Sequence, residues 1–290
     1  GRQAAELLRQ LAAIEAGFAG RGEESRLVLT GSGAQALAAA LNVTAIHEVN
    51  ATVLAVECFH PAAGSVVELG GQDAKIVFFG VEPTTGQRRV SASMNDKCAA
   101  GTGATLDNCL MKLAMTQDEA AEVAWNPHRL HRVAAKCGVF AETDIVNLLK
   151  AGVPRDEILC SLADAIVLQN LSVLTRGQLL RPKVLLLGGP IVHLPVLQAS
   201  WRQRIGELWR QRGGEGVPSD VLVPEGGGLF AATGAALSGT AAGTAAYRGS
   251  DGLAGLVHRQ GSGLARRTGL VRDAEELDDF VRRYRPAEYQ

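Results

Sequence analysis

The sequence has little of what marks nucleic-acid-binding or membrane proteins. Aromatic residues make up 4% of its 290 residues and the formal net charge is −1, so no basic surface with interleaved aromatic side chains is expected. No apolar run approaches the roughly 18–20 residues that span a bilayer, and no signal peptide opens the chain. We therefore expect neither a nucleic-acid partner nor a membrane.

Cysteine is also sparse. Five cysteines without dense spacing suit a reducing cytoplasm better than a disulfide framework. An apolar fraction of 47% with 20% charged residues is ample for a buried core. The length allows one large α/β domain or two smaller ones.

Apolar periodicity predicts an α/β chain. After an opening helix, strands are predicted at 26–30 and 45–49, with helices at 34–41 and 50–59, the second N-capped by Asn50. A three-stranded antiparallel meander is predicted next, over 65–69, 74–79 and 88–93. The later elements are helices at 102–113, 117–124, from 137, from 154, after 195 and at 229–237, with strands at 183–187 and 221–223.

The first turn of the predicted meander, Gly70-Gly71-Gln72-Asp73, has two glycines and an acid. Glycines at such a turn expose backbone N–H groups that can bind phosphate oxygens, and Glu68 and Asp73 can hold Mg²⁺ through water. An ordinary Gly-Gly hairpin with solvated acids explains the same residues, so the turn alone leaves both interpretations open.

Two of the five cysteines share a setting. Cys98 lies in the run Met94 to Gly103 (MNDKCAAGTG), Cys137 precedes Gly-Val-Phe-Ala-Glu, and each comes just before a predicted helix. Helix N-termini carry unpaired amide donors and a partial positive charge, which stabilise a thiolate and favour metal binding. The pattern indicates a metal or redox centre held by two helix ends. Two buried inert cysteines, a redox dithiol or half of a zinc site are the alternatives.

The other three cysteines have a different setting. Cys58, Cys109 and Cys160 lie within apolar helical patterns and are predicted to be core residues.

Taken together, four motifs closely resemble one family, the ATP-dependent activators of 2-hydroxyacyl-CoA dehydratases with the related ATPase subunits of benzoyl-CoA reductase. The motifs are Glu68 to Asp73 (ELGGQD), Met94 to Gly103, Cys137 with its following Val-Phe-Ala-Glu, and Leu187 to Pro190 (LGGP). The resemblance covers roughly residues 26–240 and is closest to the long fused forms of the family. It implies the actin-like α/β fold of sugar kinases, actin and chaperone ATPases.

The resemblance also implies a cofactor and an assembly. The family is typically a homodimer with one 4Fe–4S cluster on the two-fold axis, and its ligands map onto Cys98 and Cys137 of each subunit. The count agrees with the residues, because one chain supplies two cysteine sites, a dimer doubles them, and such a cluster usually has four thiolates.

A nucleotide site is implied as well, for ATP or ADP with Mg²⁺. The superfamily's second phosphate turn maps onto Gly70 and Gly71, followed by the candidate catalytic residues Gln72 and Asp73. Its adenosine-site glycines map onto Gly188 and Gly189. Glu68 stands where the family usually has Asp, which makes a metal contact there less certain.

The implied function is ATP-driven activation by electron transfer in the cytoplasm. The cluster passes one low-potential electron to a 2-hydroxyacyl-CoA dehydratase or acyl-CoA reductase component. An alternative of another class is a non-catalytic iron–sulfur dimerisation and electron-relay module of a larger fused protein. A small-molecule kinase of the same superfamily is a further alternative, which Cys98 and Cys137 argue against because phosphoryl transfer needs no iron.

One departure from the family concerns the first phosphate loop. Nothing in the sequence matches the Asp-x-Gly-Ser/Thr loop with which the family begins, so we expect a truncated first lobe and weak or absent ATP hydrolysis by this chain alone. The expected organisation is a remnant of the first lobe at 1–60, a second lobe with a cysteine-bearing helical insertion at 61–240, and a linker with a terminal amphipathic helix at 241–290. A fragment of a larger protein or a degenerate ATPase would fit this pattern.

Overall fold

The computed structural model of the chain describes residues 2–18, 25–82, 84–95, 100–134, 136–240, 244, 247 and 274–283. The chain divides into two compact units. The first contains Gly1–Leu27, Ala36–Val43 and Ala245–Gln290, and the second contains Val28–Gln35 and Thr44–Thr244. The three-part domain organisation expected from the sequence stays a prediction, because compact grouping of residues does not define actin-like lobes.

The first unit contains the opening helix α1 (Arg2–Phe18) and the terminal helix, here α11 (Ala274–Arg283). Tyr247 hydrogen-bonds to Glu15 Oε1 at 2.6 Å through its hydroxyl and to the Ser25 carbonyl at 2.8 Å through its backbone N–H. The apolar residues of α11, Leu277, Phe280 and Val281, are exposed. The amphipathic terminal helix expected from the sequence is therefore present.

The second unit is built on a five-stranded sheet with the order β5-β4-β3-β6-β7. The strands β3 (Ser65–Leu69), β4 (Ala74–Val81) and β5 (Arg88–Asn95) form the predicted antiparallel meander. The strand β6 (Val184–Leu187) adds to β3 in parallel, and β7 (Val221–Leu222) adds to β6 in parallel. Two short strands, β1 (Val28–Thr30) and β2 (Thr44–Ile46), form a separate parallel pair.

Helices cover both faces of the five-stranded sheet. Because strand side chains alternate between faces, Val66, Val77 and Leu187 belong to one cluster and Val67, Ile76 and Leu186 to the other. The first cluster is completed by α3 and α10, and the second by α4, α6, α7 and α9. The bounds of the helices between α1 and α11, whether or not they cover the sheet, are α2 (Ala34–Leu41), α3 (Glu48–Phe59), α4 (Gly103–Leu113), α5 (Gln117–Ala121), α6 (Gly138–Lys150), α7 (Arg155–Leu174), α8 (Gly189–His193), α9 (Pro195–Arg212) and α10 (Phe230–Ser238).

The helix α7 is the longest element of the structure's core. By length and composition alone it could cross a membrane. No apolar run of that length was expected from the sequence, so this property of the helix was not identified there. Its most apolar stretch is 67% buried inside the protein. A core helix passes the same test, so α7 is weak evidence for a membrane span.

Several local predictions were wrong. The strand predicted at 45–49 ends at Ile46, and the helix predicted at 117–124 ends at Ala121. The helix α3 begins at Glu48 and its N-cap is His47, whose Nδ1 accepts a hydrogen bond from Val49 N at 3.3 Å, so Asn50 lies inside the helix. Cys58 is exposed. The buried face of α3 is formed by Ala51, Thr52, Ala55 and Val56, and Cys58 turns away from it in the last turn.

Candidate functional site

The turn between β3 and β4 is closed by its own backbone. Gly70 N donates to the Asp73 carbonyl at 2.8 Å, and a Cβ on Gly70 would come within 3.0 Å of that same oxygen. Gly71 and Gln72 are exposed at the tip, and Asp73 is half-buried. The predicted tight turn is therefore present, and glycine is needed at position 70 because the chain closes so tightly there.

The start of α4 binds this turn from one side. Gly103 N donates to the Gly70 carbonyl at 2.9 Å, and Ala104 N donates to the Gly71 carbonyl at 2.7 Å. The Thr102 hydroxyl donates to the Gly71 carbonyl at 3.1 Å instead of capping its own helix. The amide donors that a helix start leaves unpaired are thus used by the turn. The N-terminus of α4 therefore serves as an anchor for the turn.

The amides of the turn remain available on the other side. Among the residues that the structure describes, neither Gly71 N nor Gln72 N donates a hydrogen bond to another protein group. A Cβ on Gly71 would have no protein atom within 4 Å. Successive exposed amides at a turn form a concavity that suits an anion. The turn therefore fits phosphate oxygens in both donor chemistry and space.

The Gly188–Gly189 segment lies directly beside the turn's strand. Gly188 has a φ of 95°, and a Cβ there would overlap the Leu69 carbonyl oxygen. Gly188 N donates to the Gly227 carbonyl at 3.0 Å, so a second glycine turn, Gly226 to Gly228, is hydrogen-bonded to the Gly188–Gly189 segment. Only glycine permits both the positive φ and this close backbone approach.

A Cβ on Gly103 would also meet Pro190 Cγ at 2.9 Å and Gly71 Cα at 3.1 Å. The turn, the start of α4 and the start of α8 are therefore packed backbone against backbone. We refer to Gly70, Gly71, Gly103, Gly188 and Gly189 as the glycine junction. Sequence reasoning named four of these five residues and missed Gly103, whose closeness to the turn depends on the tertiary fold.

A cavity of about 340 Å³ opens at the glycine junction. Gly71, Gly103 and Gly189 form part of its wall, and the helices contribute apolar and polar side chains. The side chains are Leu106, Asp107, Leu110, Gln117, Pro190, His193 and Leu194. Apolar walls with a few polar groups are typical of small-molecule sites, and the volume lies at the lower end of their range.

A buried charge cluster, which sequence reasoning missed, lies at the base of the turn. Lys75, 3% exposed, binds Glu48 Oε1 at 2.8 Å and Glu68 Oε1 at 3.1 Å, and Thr52 donates to Glu68 Oε2 at 2.9 Å. Glu68 and Lys75 pair directly across β3 and β4. The Glu68 carboxylate, considered as a magnesium ligand, is thus engaged by protein groups. The Glu68–Lys75 pair could have been found in the sequence, because the two residues face each other across a predicted hairpin. Glu48 could not, because it lies on a helix that is far from Lys75 in sequence.

The structure describes one of the two candidate cluster ligands. Cys98 lies outside the described residues. Asn95 and Ala100, which flank residues 96–99, are joined by a hydrogen bond from Asn95 Nδ2 to the Ala100 carbonyl at 3.4 Å. Cys137 is a half-buried free cysteine at the N-cap position of α6, and its sulfur does not cap the helix.

The two helix starts are neighbours. A Cβ on Gly138, the first residue of α6, would lie 3.4 Å from Thr105 Oγ1 in the first turn of α4. The segment that carries Cys98 leads into α4, and Cys137 leads into α6, so both cysteine-bearing segments enter neighbouring helices at the same end. A centre shared by the two cysteines stays a prediction.

Cys109 and Cys160 lie in a setting that disfavours the thiolate. Burial, with a smaller contribution from Glu142, raises the pKa of Cys109 to about 12, and burial raises the pKa of Cys160. Burial in the core thus disfavours the charged thiolate form of both residues. The prediction that these two are core residues is confirmed.

The donor set that remains fits soft thiolate ligation. Within the described ranges, no group of three or more His, Cys, Asp and Glu side chains could hold a metal ion. A cluster shared between two copies needs only two cysteines from each chain, and Cys137 is an accessible one. The assignments of Cys98 and Cys137 as ligands, of Gln72 and Asp73 as catalytic residues, and of Gly188 and Gly189 as adenosine-site residues stay predictions.

Comparison with known proteins identifies relatives. The activator of lactoyl-CoA dehydratase from Anaerotignum propionicum is 32% identical over 139 residues, 48% of this chain and 52% of that protein. The 2-hydroxyisocaproyl-CoA dehydratase activator from Clostridioides difficile is 25% identical over 192 residues, 66% of this chain and 65% of that protein. The chain thus spans about half to two thirds of the length of these relatives.

A solved structure shows the fold. The activator of the 2-hydroxyisocaproyl-CoA dehydratase from Clostridium difficile, solved with bound ADPNP, superimposes with a TM-score of 0.61 at 21% identity, over 89% of this chain and 83% of that one. The actin-like α/β fold predicted from the sequence is therefore confirmed. The profile of the BadF/BadG/BcrA/BcrD ATPase family matches residues 4–206, well over half of the sequence, and the chain belongs to that family.

Proposed function

We propose that this chain is part of an ATP-driven activator that passes a low-potential electron to a 2-hydroxyacyl-CoA dehydratase or acyl-CoA reductase component. Two copies would share one 4Fe–4S cluster in a homodimer. Support comes from the relatives, which are named as activators of such dehydratases, and from membership of the ATPase family. A reducing cytoplasm suits both the cluster and the free thiols.

One observation carries the proposal: the candidate phosphate turn is hydrogen-bonded to the helix that follows the Cys98 segment. Gly70 and Gly71 accept hydrogen bonds from Gly103 N and Ala104 N at 2.9 and 2.7 Å. Gly103 lies five positions after Cys98 along the chain. A displacement of the turn on phosphate binding would therefore act directly on the cysteine-bearing segment. An activator needs such a connection between nucleotide and electron donor.

The chain's own residues would divide the work at the nucleotide. The free amides of Gly71 and Gln72 would bind phosphate oxygens, and the 340 Å³ cavity would take the nucleoside. Asp73 would hold Mg²⁺ through water, since a hard cation prefers carboxylate and water oxygens. Gln72 at the exposed tip would orient the attacking water.

The chain's contribution to the cluster is two thiolates. Cys98 and Cys137 of each copy would hold it, and the helix starts behind them would stabilise the negative charge. When bound, the cluster supplies one low-potential electron. A movement of the turn on nucleotide binding would shift the start of α4 and with it Cys98. The neighbouring start of α6, which carries Cys137, would shift with α4.

The test uses the full chain, purified and reconstituted anaerobically with iron and sulfide. We expect about four irons per dimer, as four thiolates per cluster require, and a change in the electron paramagnetic resonance signal when ADPNP is added. Cys98→Ser or Cys137→Ser should abolish the iron and weaken the dimer. Cys58→Ser, at an exposed cysteine outside the site, is the matched control and should keep the iron.

The outcomes separate the candidate functions. Full iron in Cys137→Ser would defeat the cluster assignment. Iron that is lost in the two variants but is insensitive to any nucleotide, together with no nucleotide binding, would favour the electron-relay module of a fused protein over the activator.

A further inference from the structure

The segment between α5 and Cys137 is unusually long for a connection without regular structure. Its described residues, 122–134 and 136–137, contain no helix or strand. Loops of more than about 12–15 residues without secondary structure are uncommon inside compact domains and are usually functional or disordered. We refer to residues 123–134 as the strap. Disorder does not explain it, because the strap is attached to α7 at several points.

The first attachment is to one face of α7. Glu157, Cys160 and Ser161 are three or four positions apart and share that face. Cys160 Sγ donates to the Ala124 carbonyl at 3.4 Å, and His131 N donates to Ser161 Oγ at 2.8 Å. Val123, Trp125, Leu130 and Val133 of the strap pack against the core beside it.

Glu157 binds two residues of the strap at once. Its Oε1 accepts from Arg129 Nη1 at 2.6 Å, and its Oε2 lies 3.1 Å from His131 Nε2. The side chain is 12% exposed. One carboxylate thus binds two strap residues, and charge-assisted hydrogen bonds of this kind are stronger than neutral ones.

The second attachment is close to the cysteine. Ala134 N, three residues before Cys137, donates to Asp144 Oδ2 of α6 at 2.8 Å. The chain that leads to Cys137 is therefore fixed to α7 at His131 and to α6 at Ala134. A change at either attachment alters where the chain delivers the thiol.

We propose that Glu157 is a positioning residue for Cys137. Through Arg129 and His131 it fixes the strap on α7 and so sets the position and the exposure of the Cys137 thiol. Its role toward a cluster rests on the proposed function, whereas its effect on the thiol does not. Glu157 is about twenty positions from Cys137 in sequence. Among the described residues its side chain hydrogen-bonds to Arg129 and His131 and not to Cys137, so its effect on the thiol passes through the strap.

The helix α7 holds the other cysteine-bearing segment too. Asn170, 3% exposed, donates through Nδ2 to the Gly101 carbonyl at 2.9 Å, three residues after Cys98. The two attachments lie at opposite halves of one rigid, buried helix. The helix α7 therefore sets the relative position of the two segments.

The experiment compares Glu157→Ala and Glu157→Gln in the full chain with Glu119→Ala as matched control. Glu119 is a carboxylate of α5 that accepts hydrogen bonds from Thr116, upstream of the strap. Two readouts are taken: the alkylation rate of Cys137 in iron-free protein, measured by peptide mass spectrometry, and the iron content and spectrum after anaerobic reconstitution.

We expect Glu157→Ala to raise the alkylation rate of Cys137 about three- to tenfold, because local opening becomes easier when its ion pairs are lost. Glu157→Gln, which keeps an acceptor, should fall between it and the wild type, and Glu119→Ala should match the wild type. In reconstituted protein, Glu157→Ala should broaden or shift the resonance signal while the melting temperature falls by no more than a few degrees.

The positioning role would be overturned if Cys137 were alkylated in Glu157→Ala at the wild-type rate. It would also be overturned if the alkylation rate rose equally in Glu119→Ala. Should Glu157→Ala fail to fold, Glu157→Gln alone decides the question by the same comparison. Failure of the proposed function looks different, because it appears as absence of iron in the wild type whatever the alkylation rates are.

Discussion

The glycine junction and the junction between α7 and α9 are held by opposite means. At the glycine junction, backbone amides bind backbone carbonyls, and the glycines bring no side chain into the gap. Between α7 and α9, Arg204 binds both oxygens of Asp164 at 2.7 Å, and Ser200 donates to the same carboxylate at 3.2 Å. The Asp164 hydrogen bonds also raise the pKa of Arg204. The contrast separates a contact made largely by backbone groups from one fixed by charged side chains.

The largest expected effect is on the glycine junction. Gly188→Ala adds a Cβ that overlaps the Leu69 carbonyl and imposes a side chain on a φ of 95°. We expect a loss of about 3 kcal/mol or more in the free energy of unfolding. Urea denaturation measures it.

Gly189→Ala is the matched control for that substitution. A Cβ on Gly189 meets no protein atom within 4 Å, so its stability should change by less than about 1 kcal/mol. Equal losses in the two variants would mean that the close approach to Leu69 does not hold the junction together.

The α7–α9 junction should be next in sensitivity. Asp164→Ala leaves Arg204, whose side chain is 22% exposed, without its principal partner. We expect a loss of about 2–3 kcal/mol, less than for a fully buried pair because Arg204 can still reach water and Glu207. Urea denaturation again gives the value.

The control here is an exposed pair. Glu82→Ala removes the partner of Arg89, which lies 3.6 Å away and is largely exposed, and it should cost less than about 1 kcal/mol. A loss as large as that of Asp164→Ala would remove the distinction between buried and surface charge in this protein.

The tip of the turn should separate binding from stability. Gly71→Val places its side chain where no protein atom lies within 4 Å, so the melting temperature without nucleotide should hardly change. If Gly71 N binds phosphate, the affinity for ADPNP should fall about tenfold or more, because the side chain would stand where the ligand does. Calorimetric titration measures the affinity, and an unchanged value would assign the turn to structure only.

The smallest expected effect is the pH dependence of the strap. Hydrogen bonds from Arg129 and His131 lower the pKa of Glu157 below its ordinary value of 4.5. A group with a lowered folded pKa stabilises the protein above its unfolded pKa and loses that contribution as pH falls through the folded pKa.

The difference in melting temperature between wild type and Glu157→Gln should therefore be constant above about pH 4.5 and should close below it. Thermal melts from pH 7 to pH 3 test this. A difference that is as large at pH 3 as at pH 7 would show that the carboxylate charge does not hold the strap.

Much of the fold followed from local pattern. The meander was predictable because its strands are adjacent in sequence and joined by turns that glycine and proline mark, so that no distant contact is needed to pair them. The α6 helix start behind Cys137 was predictable from the apolar period that follows it. The burial of single residues was predicted less well, as the exposed Cys58 shows. Apolar spacing identifies which face of a helix is buried, but it does not show how far along the helix the covering neighbour extends.

The resemblance of its motifs to a known family implied the actin-like fold, whereas the sequence by itself determined the turn at Gly70–Asp73 and the helix starts at Gly103 and Gly138. These are short-range properties of glycine conformation, apolar period and residue spacing. Only the tertiary structure decided that Gly103 binds the turn, that Lys75 joins Glu68 to Glu48, and that Glu157 holds the strap before Cys137. Apart from the Lys75–Glu68 pair, which the β3–β4 hairpin brings together, each of those contacts joins residues about twenty positions apart or more, and long-range contacts depend on how helices and strands pack rather than on any local pattern.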